Sequence, residues 1–106
     1  MTDQGSLEQR RRRSRLREEI DRIDREIVRL LSRRMTRALE IGRLKDMLGD
    51  SMRSPEREES LLGEVSAEAA ARGLDPHHAA AVFEVVLQGS RAAQDAELRR
   101  QMAAGA

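Results

Sequence analysis

Two cationic residues stand where the helical pattern of this sequence calls for apolar ones. In the stretch LLSRRMTRALEIGRLKDML, residues 30–48, apolar residues recur at the spacing of one helix face. The apolar members of this seam are Leu31, Ala38, Ile41 and Leu48. Arg34 and Lys45 fall on the same seam, and at eleven residues apart they differ by only about 20° around the helix and about 16 Å along it. Two such side chains can grip one small molecule between them, although each can also extend out of the core edge into solvent.

A second pair of polar residues continues an apolar stripe nearer the C-terminus. Ser90 follows Val86 by four residues, and Gln94 follows Ser90 by four. Buried polar groups need hydrogen-bond partners, so these two side chains are candidate ligand contacts from a helix facing the first one. Taken alone, each would be an edge residue near a frayed helix end.

Charged residues at two further places complete the candidate set. Arg57 and Glu58 lie in the first turn of a predicted helix, whose N-terminus favours anions. Arg57 would strengthen an anion site and Glu58 would accept from a hydroxyl or ammonium group, although ordinary surface charge is the better explanation when these two residues are taken alone. Arg17 precedes Arg34 by about 25 Å along the helix, so it reaches the same small ligand only from a second chain.

The helix that carries Arg17, Arg34 and Lys45 is too long for the chain that contains it. Apolar periodicity without proline predicts one helix from about Leu7 to Leu48, which is about 60 Å long. A compact domain of 106 residues has a radius of gyration of only about 13 Å. We therefore expect an intertwined homodimer in which long helices cover each other. The alternative is a monomeric bundle in which the first helix bends or breaks at Gly42.

Two further helices follow, and the predicted fold class is all-α with three helices per chain. Ser54-Pro55 and Asp75-Pro76 are helix starts, and Gly73 is a candidate left-handed C-terminal cap. The third helix is expected to reach about Gln101. The predicted organisation is a basic, partly frayed extension over residues 1–13, one domain over 14–101, and a flexible tail over 102–106.

Composition excludes several classes of function. The 20 basic and 19 acidic residues nearly balance, and Phe83 is the one aromatic residue, so the run RRRRSR at 10–15 predicts a solvated helix turn and not a nucleic-acid site. The absence of cysteine removes thiol and disulfide chemistry. The adjacent His77 and His78 point about 100° apart on a helix and make a poor metal site. Neither a signal peptide nor a membrane span is apparent, so we expect a soluble cytoplasmic protein without a membrane partner.

Five segments, in order and spacing, resemble the all-helical chorismate mutase family over residues 14–98. The segments are LREEIDRID (16–24), LLSRRM (30–35), IGRLK (41–45), SPERE (54–58) and SRAAQ (90–94). No single segment is specific, but the ordered set is. The resemblance implies three helices per chain, an intertwined homodimer, and two sites that are each completed by one arginine from the partner chain.

The resemblance also implies a role for each candidate residue. Arg17 would cross the dimer to bind one carboxylate of a dianionic substrate, while Arg34, supported by Ser90, would bind the other and Arg57 would add positive charge. Lys45 and Gln94 would donate hydrogen bonds to the ether oxygen of chorismate, and Glu58 would accept one from the substituent at ring carbon 4. The rearrangement to prephenate is unimolecular, so no cofactor and no metal are expected. Catalysis would come from holding a reactive conformer and stabilising charge on the ether oxygen.

One position departs from the family pattern. Ser54 stands four residues before Glu58, where the family has an aspartate facing the same end of the substrate. Three alternatives therefore remain open: a mutase acting on 4-amino-4-deoxychorismate, an isochorismate-pyruvate lyase, and a non-enzymatic helical interaction module. The lyase pattern lacks the counterparts of Glu58 and Ser90, and an interaction module leaves the polar residues on core faces unexplained.

Overall fold

The structure, a computed structural model, describes residues 2–105 of the chain as three helices. Helix α1 spans Thr2–Leu48, α2 spans Pro55–Ala71 and α3 spans Pro76–Gly105. No strand occurs between residues 2 and 105. The all-α prediction with a very long first helix is therefore confirmed. Met1 and Ala106, the outer ends of the predicted extension and tail, lie outside the described residues.

Helix α1 is longer than predicted and has no break. It begins at Thr2 and not near Leu7, and residues 2–6, TDQGS, contain no proline that would stop the helix there. It also runs through Gly42, so the alternative of a helix broken at this glycine is wrong. The helix ends where Gly49 adopts a positive φ of 72°, and Asp50 N–H then donates to the Lys45 carbonyl at 2.8 Å.

The ends of α2 and α3 follow the predicted cap signals. Pro55 opens α2 behind Ser54, and Gly73 closes it with a φ of 73°. At the start of α3 the Asp75 carboxylate accepts a hydrogen bond from the His77 N–H at 3.0 Å, which satisfies a free helix donor. Helix α3 continues to Gly105, past the predicted end near Gln101.

The chain divides into two compact units, one up to Arg33 and one from Arg34 onward. The first unit is helical and leaves its apolar side chains exposed: Leu16, Ile20, Ile23, Ile27, Leu30 and Leu31 are each 43–56% exposed. In the second unit α2 packs on α3, and Ala69, Ala79 and Leu87 are buried. Among residues 2–105, no helix combines the length and the apolar character needed to cross a membrane.

Candidate active site

A cavity of about 560 Å³ lies in the second unit. This volume is within the usual range of small-molecule sites, about 300–1,000 Å³. Seven of the eight predicted site residues line it. These are Arg34, Lys45, Ser54, Arg57, Glu58, Ser90 and Gln94. The eighth, Arg17, belongs to the first unit and is not among the lining residues.

Arg34 is held in place by a serine on α3. The Ser90 hydroxyl donates its hydrogen to the Val86 carbonyl at 3.1 Å, so its oxygen faces Arg34 as an acceptor. Arg34 Nη1 donates to that oxygen at 2.6 Å. Ser90 is buried, with 7% of its surface exposed, and Arg34 is half-buried. The contact uses one of the five N–H donors of the guanidinium and leaves the others available for a carboxylate.

Gln94 is anchored to the backbone of α1. Its Nε2 donates to the Ala38 carbonyl at 2.7 Å, which uses one of its two N–H bonds and leaves the second for a ligand. Gly42 is buried beside it: a Cβ atom placed there would lie 3.2 Å from Gln94 Cγ. Gly42 therefore serves close packing of α1 against Gln94, and the break that the monomeric alternative placed at this residue is absent.

Lys45 and Arg57 carry charges that the described residues do not neutralise. Lys45 is half-buried in the last turn of α1 and Arg57 is exposed near the start of α2. Neither forms an ion pair with a carboxylate among residues 2–105, and both line the cavity. Unpaired cations at a cavity wall are suited to an anionic ligand.

Glu58 has a partner that the sequence reasoning missed. Arg91 Nη1 on α3 forms an ion pair with Glu58 Oε1, and the two side chains are 30% and 27% exposed. A signal was present, because Arg91 precedes Gln94 by three residues and so shares its helix face. Arg37, three residues after Arg34, is a second lining cation that was missed.

Ser54 occupies the N-cap position of α2 and also lines the cavity. It precedes α2 in sequence, but its side chain makes no capping hydrogen bond, so its hydroxyl is available to the cavity. Its neighbour Arg53 forms an ion pair with Asp95 on α3 at 2.7 Å. This contact holds the loop between α1 and α2 against α3, the helix that carries Gln94. The same loop brings Met52 to the cavity.

The charge balance of the cavity defines the ligand class. Five cationic side chains and one carboxylate line it, together with apolar side chains. The apolar members are Ala38, Ile41, Met52, Leu61 and Leu87. Such a wall suits a small molecule with more than one negative charge and an apolar body. No group of three or more metal-binding side chains occurs within the described residues.

These features are those of a cavity between helices that is suited to a small anionic molecule. The family model of chorismate mutase type II matches residues 16–95. The chain belongs to the chorismate mutase type II family and is an isomerase. It is similar to the solved structure of chorismate mutase (form II) from Thermus thermophilus, with 36% sequence identity and a TM-score of 0.74. That match covers 79% of this chain and 94% of the Thermus chain.

Proposed function

We propose that the cavity converts chorismate to prephenate by holding the substrate and stabilising charge, without any covalent step on the protein. In this Claisen rearrangement the carbon–oxygen ether bond breaks as a new carbon–carbon bond forms within the same molecule. No proton, electron or group passes to the enzyme. The observation that supports this best is the presence of Arg34, Lys45 and Gln94, donors with no role in the apolar core, on one cavity.

In this proposal Arg34 binds one carboxylate of the substrate and Arg17 of the partner chain binds the other, while Arg57 adds positive charge to the cavity wall. Ser90 orients Arg34 through the 2.6 Å hydrogen bond, so the guanidinium does not need to be ordered when substrate arrives. Holding both carboxylates selects the folded conformer in which the reacting carbons approach each other.

Lys45 and the second N–H of Gln94 donate to the ether oxygen. Negative charge grows on this oxygen as the bond breaks, so these hydrogen bonds strengthen on the way to the transition state. A preorganised donor of this type contributes about 10²- to 10³-fold in rate. Gln94 keeps its donor hydrogens at neutral pH, since an amide does not titrate there.

The active form is a homodimer in which Arg17 enters the partner's cavity. The exposed apolar side chains of residues 16–31 support this, because their helical spacing forms a stripe that a second copy would cover. The exposed area of these side chains would be removed from water in the dimer, which stabilises it. Every described residue that lines the cavity lies at Arg34 or later in the chain, so the cavity takes no side chain from the stripe of its own chain.

The first experiment offers chorismate, 4-amino-4-deoxychorismate and isochorismate separately to the purified protein and identifies the products by mass and ultraviolet absorption. We expect prephenate from chorismate, with activity lost in Lys45→Ala. Preferred turnover of the amino substrate would move the protein to a specialised pathway. Pyruvate release from isochorismate would make it a lyase, and no turnover of any substrate would leave a helical interaction module.

The second experiment tests the donation of Arg17 across the dimer. Arg17→Ala and Lys45→Ala chains are coexpressed with different tags, and the heterodimer is purified by both. If Arg17 acts on the partner's cavity, one of the two sites in each heterodimer is intact, and about half of the wild-type activity returns. If Arg17 acts within its own chain, every site keeps one defect and the heterodimer is as inactive as either parent.

A further inference from the structure

The ion pair between Arg91 and Glu58 occupies the one acidic position of the cavity. Glu58 is the single carboxylate among the lining residues that the structure describes, and Arg91 already binds its Oε1. The two residues also line a second cavity of about 170 Å³, so their ion pair stands between the two spaces. Arg91 therefore decides how Glu58 is oriented and what charge a ligand meets beside it.

The chemistry of the substrate selects the group that approaches this pair. Chorismate carries two carboxylates and an ether oxygen, which need donors, and one hydroxyl on ring carbon 4, which can donate. Glu58 is the lining carboxylate able to accept that hydrogen bond. Arg91 Nη1 binds its Oε1, so the hydroxyl would donate to the other oxygen, Oε2. This assignment rests on the proposed function of the cavity.

We propose that Arg91 is a specificity-determining residue that biases the site toward a hydroxyl and against an ammonium group at ring carbon 4. A hydroxyl donates to Glu58 without conflict with the guanidinium. An ammonium group in the same place meets a carboxylate whose charge Arg91 already balances, and a like charge a few ångströms away. Ser54 is neutral and supplies no second carboxylate to offset this repulsion.

The size of the effect follows from the charge and the exposure of the pair. At an effective dielectric constant of about 20, two like unit charges about 6 Å apart repel each other. This repulsion energy corresponds to a change of about a hundredfold in rate. The two side chains are 30% and 27% exposed, and solvent screening reduces interactions of this kind. We therefore expect the Arg91 charge to shift the ratio of the two rates toward the hydroxyl substrate by about tenfold or more, relative to a site without this charge.

The test measures kcat/KM for chorismate and for 4-amino-4-deoxychorismate in the wild type, Arg91→Gln and Arg91→Lys. Arg91→Gln should shift the ratio of the two values toward the amino substrate by about tenfold or more, because it removes the repulsion from the guanidinium and leaves the Glu58 carboxylate. Arg91→Lys keeps the charge and should keep the wild-type ratio. Arg43→Gln is the matched control, because it removes another arginine–glutamate pair to α3, with Glu97, that does not line the cavity.

Two outcomes would overturn the proposal, and a third concerns the proposed function. A ratio that moves toward chorismate in Arg91→Gln would mean that the Arg91 charge does not act against the ammonium group. An Arg91→Gln variant that loses both activities equally, with an unchanged ratio, would make the ion pair purely structural. Arg91→Met removes the same charge and gives the ratio if the glutamine variant does not fold. Turnover of neither substrate by the wild type would instead contradict the proposed function itself.

Discussion

Replacing Gly42 by alanine is the sharpest test of how α1 and α3 set the position of Gln94. The added methyl group would lie 3.2 Å from Gln94 Cγ and 3.6 Å from its Cβ and Cδ atoms. The side chain must move by a few tenths of an ångström to restore ordinary contact. The same movement stretches the 2.7 Å hydrogen bond from Nε2 to the Ala38 carbonyl, so the second N–H of the amide is displaced as well.

The magnitude follows from the cost of misplacing a group at a reaction centre. A displacement of about 1 Å costs about a hundredfold in rate, so a few tenths cost about fivefold. We expect this loss in kcat with little change in KM, because the proposed contact of Gln94 strengthens in the transition state. Stability should not fall in parallel, since alanine favours the helix over glycine by about 0.5–1 kcal/mol and offsets the strain.

Gly63→Ala is the matched control. Gly63 is exposed within α2, and a Cβ atom there meets nothing within 4 Å, so this variant should gain the helix stability and keep full activity. Both variants are measured by steady-state kinetics and thermal unfolding. Equal kcat in Gly42→Ala and Gly63→Ala would refute the reasoning. So would an undiminished effect of Gly42→Ala in a Gln94→Ala background, where no side chain remains to be displaced.

Three further predictions concern single side chains. Lys45→Met should lower kcat/KM by about 10²-fold or more, because a donor to the ether oxygen is lost. The melting temperature should not fall, since the lysine removed is a half-buried, unpaired cation. Full activity of this variant would show that Lys45 has no part in the mechanism. Gln94→Glu should be nearly inactive at about pH 7.5 and recover as the pH falls toward about 5, because a carboxyl group donates only when protonated; a pH profile as flat as that of the wild type would contradict this. A hydrogen bond from Arg100 holds the pKa of Glu97 below its ordinary value of 4.5, so its stabilising contribution is present above that value and is lost as the pH falls through the lowered pKa. Glu97→Gln should therefore reduce the drop in melting temperature between about pH 5 and pH 3, and an unchanged drop would contradict the assignment.

Local sequence determined the helices of this protein and most of their ends. Pro55 and Pro76 open helices, and Gly49 and Gly73 close them with positive φ, because these residue types act on the backbone within one turn. The predicted outer ends were less accurate: α1 starts before Leu7 and α3 runs to Gly105, since neither added segment contains a proline that would stop the helix.

The candidate site was predictable as a set of residues because polar side chains stood on apolar helix faces. Arg34, Lys45, Ser90 and Gln94 were found by this conflict alone, and all four line one cavity. Arg91 was missed although its spacing of three residues from Gln94 places it on the same helix face, since that spacing does not separate an arginine paired with a carboxylate from a solvated one.

Tertiary structure alone decided which group each of these side chains binds. Arg34 meets Ser90, and Gln94 meets the Ala38 carbonyl, each across 56 positions in the chain, and Arg91 meets Glu58 across 33. Helical periodicity places a residue on a face, but it contains no information on the rotation and offset between two packed helices. Those two quantities bring donor and acceptor within hydrogen-bond distance, and they depend on the packing of all the side chains between the helices.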